Sequence, residues 1–124
     1  MRIFLSIFNV HINRNPIGGR VEWVQRFTGM YLPAYKDEAG KKNVRNYLGI
    51  VTNWGKVLVV QITGFVARRL VCWVREGDTL STGQRFGLIR FGSCTEVYLP
   101  EEVTILVKAG QKVKGGETVI ARLY

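Results

Sequence analysis

Histidine is almost missing from this chain of 124 residues, which holds one, His11, beside two cysteines and nine acidic residues against eighteen lysines and arginines. A single histidine removes the histidine-rich metal centres. Cys72 and Cys94 have no ligand histidine near either, so no metal site is read. Two distant cysteines suit a reducing compartment better than a disulfide framework. No apolar run approaches the roughly 18 residues of a membrane-spanning helix. The opening residues pass on without a small-residue cleavage site, so neither a span nor export is expected. Lysine is absent from the stretch 85–106, an absence that later separates two readings.

What is present is apolar and short-ranged. At 47% hydrophobic, the chain can bury roughly two thirds of its unfolded surface as one domain, 1–124. The runs 57–62, 70–74, 85–91, 103–107 and 118–122 are β-branched or aromatic and are separated by glycine turns. They predict a mainly β fold, a small barrel or sandwich. One candidate helix falls in 35–48, but Gly40 inside it makes a turn or loop equally admissible. Cys72, within 70–74, is expected in the core, and Cys94 reads as a small hydrophobe.

The C-terminal half repeats itself. Residues 74–84 (VREGDTLSTGQ) align with 107–117 (VKAGQKVKGGE), 33 positions on, and both read V-[RK]-x-G-x-x-[LV]-x-x-G-[QE]. This resembles the turn signature of lipoyl- and biotinyl-type β domains. It opens one functional reading, a carrier or binding module without catalysis. Such modules display a modifiable lysine on a hairpin between the halves, where 85–106 has none.

Charge is lopsided. Residues 1–92 hold 14 basic and 5 acidic side chains, and 93–124 hold 4 of each. The whole net charge of +9 lies before residue 93. A basic surface draws anions, nucleic acid or lipid, or simply aids solubility. No nucleic-acid motif accompanies it, and no nucleic-acid partner is expected.

The densest chemistry is in 85–93, RFGLIRFGS. A Gly92-Ser93 pair can be a self-cleavage site. The serine hydroxyl attacks the preceding carbonyl, the amide becomes an ester, and elimination with hydrolysis leaves a pyruvoyl group on the new amino terminus. Glycine leaves the carbonyl open and lets the backbone bend. The product ketone can form a Schiff base with a substrate amine and act as an electron sink for decarboxylation. The same dipeptide is also an ordinary loop.

Three further stretches bear on the choice. The opening FLSIFNVHINRNPIGGRV (4–21), the segment VQITGFVARR (60–69) and Glu76-Gly77-Asp78 leading into 85–93 resemble the phosphatidylserine decarboxylase family, in particular the short proenzyme of archaea and many bacteria. The match runs from near residue 3 almost to the end. The resemblance implies a zymogen that cuts between Gly92 and Ser93 into a β chain (1–92) and an α chain (93–124), with a pyruvoyl cofactor formed from Ser93. It implies His11 as the proton-transfer group, phosphatidylserine as substrate, phosphatidylethanolamine and carbon dioxide as products, and a peripheral place on the cytoplasmic face of an anionic membrane. The two chains are expected to stay associated, and assembly into homo-oligomers is left open. Asn9, Asn13, Arg14 and Asn46 are candidate contacts to substrate oxygens.

The chain departs from the family pattern in three places. The upstream Asp-Gly motif is absent, so the sequence reads as amino-terminally truncated. Arg14 stands where many longer members have a second histidine. The Asn-Glu-Arg-Asn motif reads Asn43-Val44-Arg45-Asn46, without its acidic residue. An inactive truncated relative therefore stays beside the carrier module as an alternative.

Overall fold

The computed structural model describes residues 1–5, 12–29, 43–63, 70–89 and 93–123. They contain eleven strands and no helix. A six-stranded antiparallel sheet runs in the order β1 (Arg2–Leu5), β9 (Ser93–Tyr98), β5 (Gly55–Ile62), β4 (Arg45–Thr52), β3 (Gly19–Phe27), β7 (Thr79–Leu80). A three-stranded sheet, β2 (Ile12–Arg14), β8 (Arg85–Ile89), β6 (Leu70–Cys72), lies against it. β10 (Val103–Ile105) and β11 (Ala121–Leu123) form a separate pair. The arrangement is sandwich-like and does not close into a barrel.

The strands follow from alternation. In β5, Val57 and Val59 enter the main core with Val21, Leu48, Ile50, Phe86 and Val97, while Val60 and Ile62 join Cys94 on the opposite face. A central strand buried on both sides reads as a continuous apolar run, which is why 57–62 is legible in the sequence. Phe86 of β8, fully buried, is the largest side chain the smaller sheet sends into this core. β4 and β5 meet in a hairpin at Asn53-Trp54, where Thr52 Oγ1 donates to the Gly55 carbonyl at 2.6 Å.

Two expectations change. Residues 45–48, the end of the candidate helix, belong to β4, because their alternating buried side chains meet β3 and β5; 35–42 lie outside the described residues. Ser93, whose dipeptide also reads as an ordinary loop, is the first residue of β9 and pairs with Leu5 of β1. The internal repeat is present in the backbone. Gly77 and Gly110 have φ of 93° and 84°, and Gly83 and Gly116 of 79° and 78°, a left-handed turn that glycine adopts without steric cost.

Candidate active site

The pairing scheme brings two distant parts of the sequence together. β1 ends at Leu5 and β2 begins at Ile12, flanking His11; β8 ends at Ile89 and β9 begins at Ser93, flanking Gly92. β1 pairs with β9 and β2 with β8, in the registers Leu5↔Ser93 and Ile12↔Leu88. The strands on either side of the histidine motif are thus the neighbours of the strands on either side of the Gly-Ser pair. His11, Asn9 and Gly92 themselves lie outside the described residues.

At this end of the sandwich the interior turns from apolar to polar. Positions 57, 59 and 61 of β5 share a face, and there Val57 and Val59 give way to Gln61. Its Nε2 donates to Asn13 Oδ1 at 2.8 Å and to the Val71 carbonyl at 3.1 Å, and its Oε1 accepts from Asn46 Nδ2 at 3.1 Å. Asn13 Nδ2 in turn donates to Thr95 Oγ1 at 3.2 Å. Asn13, Asn46 and Gln61 are buried. Among buried side-chain polar atoms of the described residues only Asn15 Oδ1 lacks a partner, so this chain of amides is satisfied throughout. A satisfied buried network fixes geometry, since any slip leaves an amide unpaired.

Glycine makes room for it. A Cβ at position 87 would stand 2.3 Å from the Val71 carbonyl oxygen and 2.6 Å from Gln61 Nε2, so no larger residue fits between the sheets there. The Asn13–Thr95 bond joins β2 to β9 two residues after His11 and two after Ser93. Asn43, the other asparagine of the 43–46 motif, is also spent on the frame: its Nδ2 donates to the Thr63 carbonyl at 2.6 Å. Of the candidate substrate contacts, then, Asn13 and Asn46 are brought together inside the protein. Arg14 is exposed, with one guanidinium nitrogen donating to the Gly83 carbonyl at 3.0 Å. Gln61 and Thr95 were not singled out from the sequence. The available signal was Gln61 as the one polar residue in the run 57–62.

The opposite face of β9 carries charge. Glu96 Oε1 accepts from Arg2 at 2.6 and 3.0 Å, and Oε2 accepts from the Tyr98 hydroxyl. Burial alone would raise the Glu96 carboxyl, but the hydrogen bonds from Tyr98 and Arg2 and the Arg2 charge outweigh it and hold it below its ordinary value. Tyr98, donating to that carboxylate, is pushed up to about 12. A depressed carboxyl stabilises the fold above its unfolded value, and that contribution is lost as pH falls through the folded one. Glu96→Gln is therefore expected to cost about 1.5–3 kcal/mol at neutral pH. The gap to the parent should close below about pH 4. Urea midpoints across pH 3–8 check this; a gap independent of pH would show that the Glu96 charge contributes nothing.

Cys94, next to Ser93, is a poor nucleophile. It is buried, and burial first, with Glu96 adding, pushes its thiol up to about 12, so thiolate is negligible at neutral pH. No group of histidine, cysteine and carboxylate side chains able to hold a metal occurs among the described residues, and they include no helix long and apolar enough to cross a membrane.

These features meet comparisons that point one way. The profile of the family described as phosphatidylserine decarboxylase matches residues 1–121. The phosphatidylserine decarboxylase proenzymes of Carboxydothermus hydrogenoformans and Symbiobacterium thermophilum are 57% and 53% identical over 122 residues, 98% of this chain and 57% of either relative. The chain spans a little over half the length of these curated relatives. No solved structure matches it. With the profile covering nearly every residue and more than half of the aligned positions identical, the chain belongs to the phosphatidylserine decarboxylase family.

Proposed function

We propose that the chain catalyses pyruvoyl-dependent decarboxylation of phosphatidylserine to phosphatidylethanolamine and carbon dioxide, after cutting itself between Gly92 and Ser93. The observation that carries this reading is the convergence of the strands flanking His11 with those flanking the Gly-Ser pair, joined by the Asn13–Thr95 hydrogen bond. That both relatives are named proenzymes supports it.

In the cleavage, neutral His11 takes the Ser93 hydroxyl proton as the oxygen attacks the Gly92 carbonyl carbon. The C–N bond breaks and an ester replaces the amide. Loss of the Ser93 α-proton then expels the Gly92 carboxylate, and water replaces the nitrogen, which leaves as ammonia. When present, the resulting pyruvoyl group supplies an electrophilic ketone and a sink for the electron pair left by carbon dioxide. The residues fit such a group: position 93 opens a strand held on one side by β1 and, from Cys94 on, by β5 on the other. That frame keeps the new terminus in place, because both neighbours of β9 lie on the far side of the cut. His11 returns a proton to the substrate carbon. Exposed Arg14, with Asn9, contacts the anionic headgroup, while buried Asn13 and Asn46 hold the frame. The basic β chain sets the protein against an anionic membrane as a peripheral enzyme on the cytoplasmic face.

The carrier-module reading is weaker. The lysine-free interval 85–106 places 93–98 in the middle of a sheet, where no swinging group can be displayed. Intact-mass spectrometry with hydroxylamine or borohydride trapping tests the choice. Two fragments meeting at residues 92 and 93, the smaller carrying a trappable ketone, are expected. One uncut chain without a ketone would remove self-processing from these 124 residues and leave the inactive relative.

A further inference from the structure

The two copies of the glycine-turn repeat share most of their internal bonds, the second with one extra residue before its return strand, where Thr118 N also donates to the Lys114 carbonyl, and they differ in their surroundings. In the first, Asp78 N donates to the Arg75 carbonyl and Gln84 N to the Ser81 carbonyl; in the second, Gln111 N donates to that of Lys108 and Glu117 N to that of Lys114. Arg75 N is capped by Asp78 Oδ2, and Lys108 N by Gln111 Oε1. The enclosing strands also pair alike, β6 with β8 and β10 with β11, followed by Trp73 N to the Phe86 carbonyl and Leu106 N to that of Ile120.

Residues 12–21 wrap the first copy. β2 pairs with the second edge of β8, and β3 pairs with β7 at Gly19↔Leu80 and Arg20↔Thr79. Asn15 exchanges two backbone bonds with Gly83 and Gln84, and Val21 two with Gly77 and Asp78. The second copy has no such wrapping among the described residues: β10 and β11 form a sheet of two. Its apolar positions show the difference. Phe86 is 0% exposed and Ile120, which takes its place in the second pairing, is half-buried; Leu80 and Ile89 are buried, whereas Val113 and Leu123 are half-buried. A lone two-stranded hairpin with an open apolar face is marginal in water, and its free edge is a template for another strand.

We propose that this second copy is an acceptor for a strand–turn–strand segment of the kind that residues 12–21 supply to the first, contributed by the part of the family chain that these 124 residues do not span. The segment adds a strand to the open edge of β11, turns, and runs past Val113, laying apolar residues over Ile120 and Val113. A second copy of this chain is a poor donor, because its own 12–21 are already paired with its first repeat. The relatives are long enough to supply the segment, since the matched region is 57% of their length. The inference rests on the repeat and on family membership, and does not depend on the cleavage chemistry.

Hydrogen exchange tests it, comparing this chain with the full-length Carboxydothermus hydrogenoformans proenzyme. Amides matching 110–113 and 119–123 are expected to exchange slower in the full-length protein by about two orders of magnitude or more. Val113→Asp should lower the melting temperature of this chain less than the matching substitution lowers that of the proenzyme, because Val113 is half-buried here and covered once the segment is in place. Equal exchange in both proteins would overturn the proposal. So would protection that appears in this chain alone and rises with concentration alongside a dimer in analytical ultracentrifugation, since a second copy would then be the occupant.

Discussion

Ser93→Ala is expected to yield a single uncut chain that folds normally and has no decarboxylase activity. Alanine removes the only atom of that side chain able to attack the Gly92 carbonyl, and with it the source of the ketone. The loss is the whole enzymatic acceleration, at least about 10⁶-fold for a typical enzyme. The fold should survive because the pairing of Ser93 with Leu5 is made through backbone groups that alanine keeps. Ser93→Cys separates the two steps: a thiol can attack the same carbonyl, so slow cleavage at the same bond is expected. Mass spectrometry, the urea midpoint and release of carbon dioxide from phosphatidylserine read all three quantities. Cleavage of Ser93→Ala between residues 92 and 93 would sink the assignment, whatever the activity.

The second large effect belongs to a residue that touches no substrate. Gln61→Leu keeps the size and removes three hydrogen bonds at once. It orphans Asn13 Oδ1, Asn46 Nδ2 and the Val71 carbonyl on that side. Each buried group left unpaired costs about 1–3 kcal/mol, so a total of about 3–9 kcal/mol is expected, with the lower part reached if water enters. Against a usual stability of about 5–15 kcal/mol, much of the chain would be unfolded at growth temperature. Thr95→Val, which removes only the acceptor for Asn13 Nδ2, should cost about 1–2 kcal/mol yet slow self-cleavage disproportionately. Thr95→Ser restores the hydroxyl and should recover the rate. A Gln61→Leu protein within about 1 kcal/mol of the parent would show that the network is incidental.

The chemistry proposed for the site is read along the chain, and almost none of the geometry is. The Gly92-Ser93 pair and the motif around His11 are local and survive as text. Gln61 is local too, but its meaning is not. A glutamine in an apolar run is either misplaced or paired, and its partner, Asn13, is 48 positions away. Thr95 is 82 positions from the asparagine that donates to it. Asn13 and Asn46 stood out as turn-type residues that could face substrate. Their burial was invisible because it depends on the smaller sheet lying over β4 and β5, which Gly87 permits and no local pattern encodes.

Strands divide the same way. The runs at 57–62 and 85–89 declare themselves because both faces, or the residues facing the core, are apolar. β3 and β4 were passed over because half of each faces water or carries Arg45, Tyr47 and Trp23, which stack on one another along the outer face. β9 was missed because its outward residues Glu96 and Tyr98 look like loop chemistry until Arg2 is placed beside them.

By itself, then, the sequence determined the mainly β character and the 33-residue repeat, both set by neighbours within a dozen positions, and it supplied the residues on which self-cleavage is proposed. The tertiary structure alone decided that Ser93 opens a sheet strand instead of a turn, that four polar side chains lock its strand to that of the histidine motif, and that one repeat is wrapped while its twin is left open. The reason is physical: hydrogen-bond partners and burial are settled by which strands pair across the whole chain, and pairing of distant strands leaves no periodic trace in either of them.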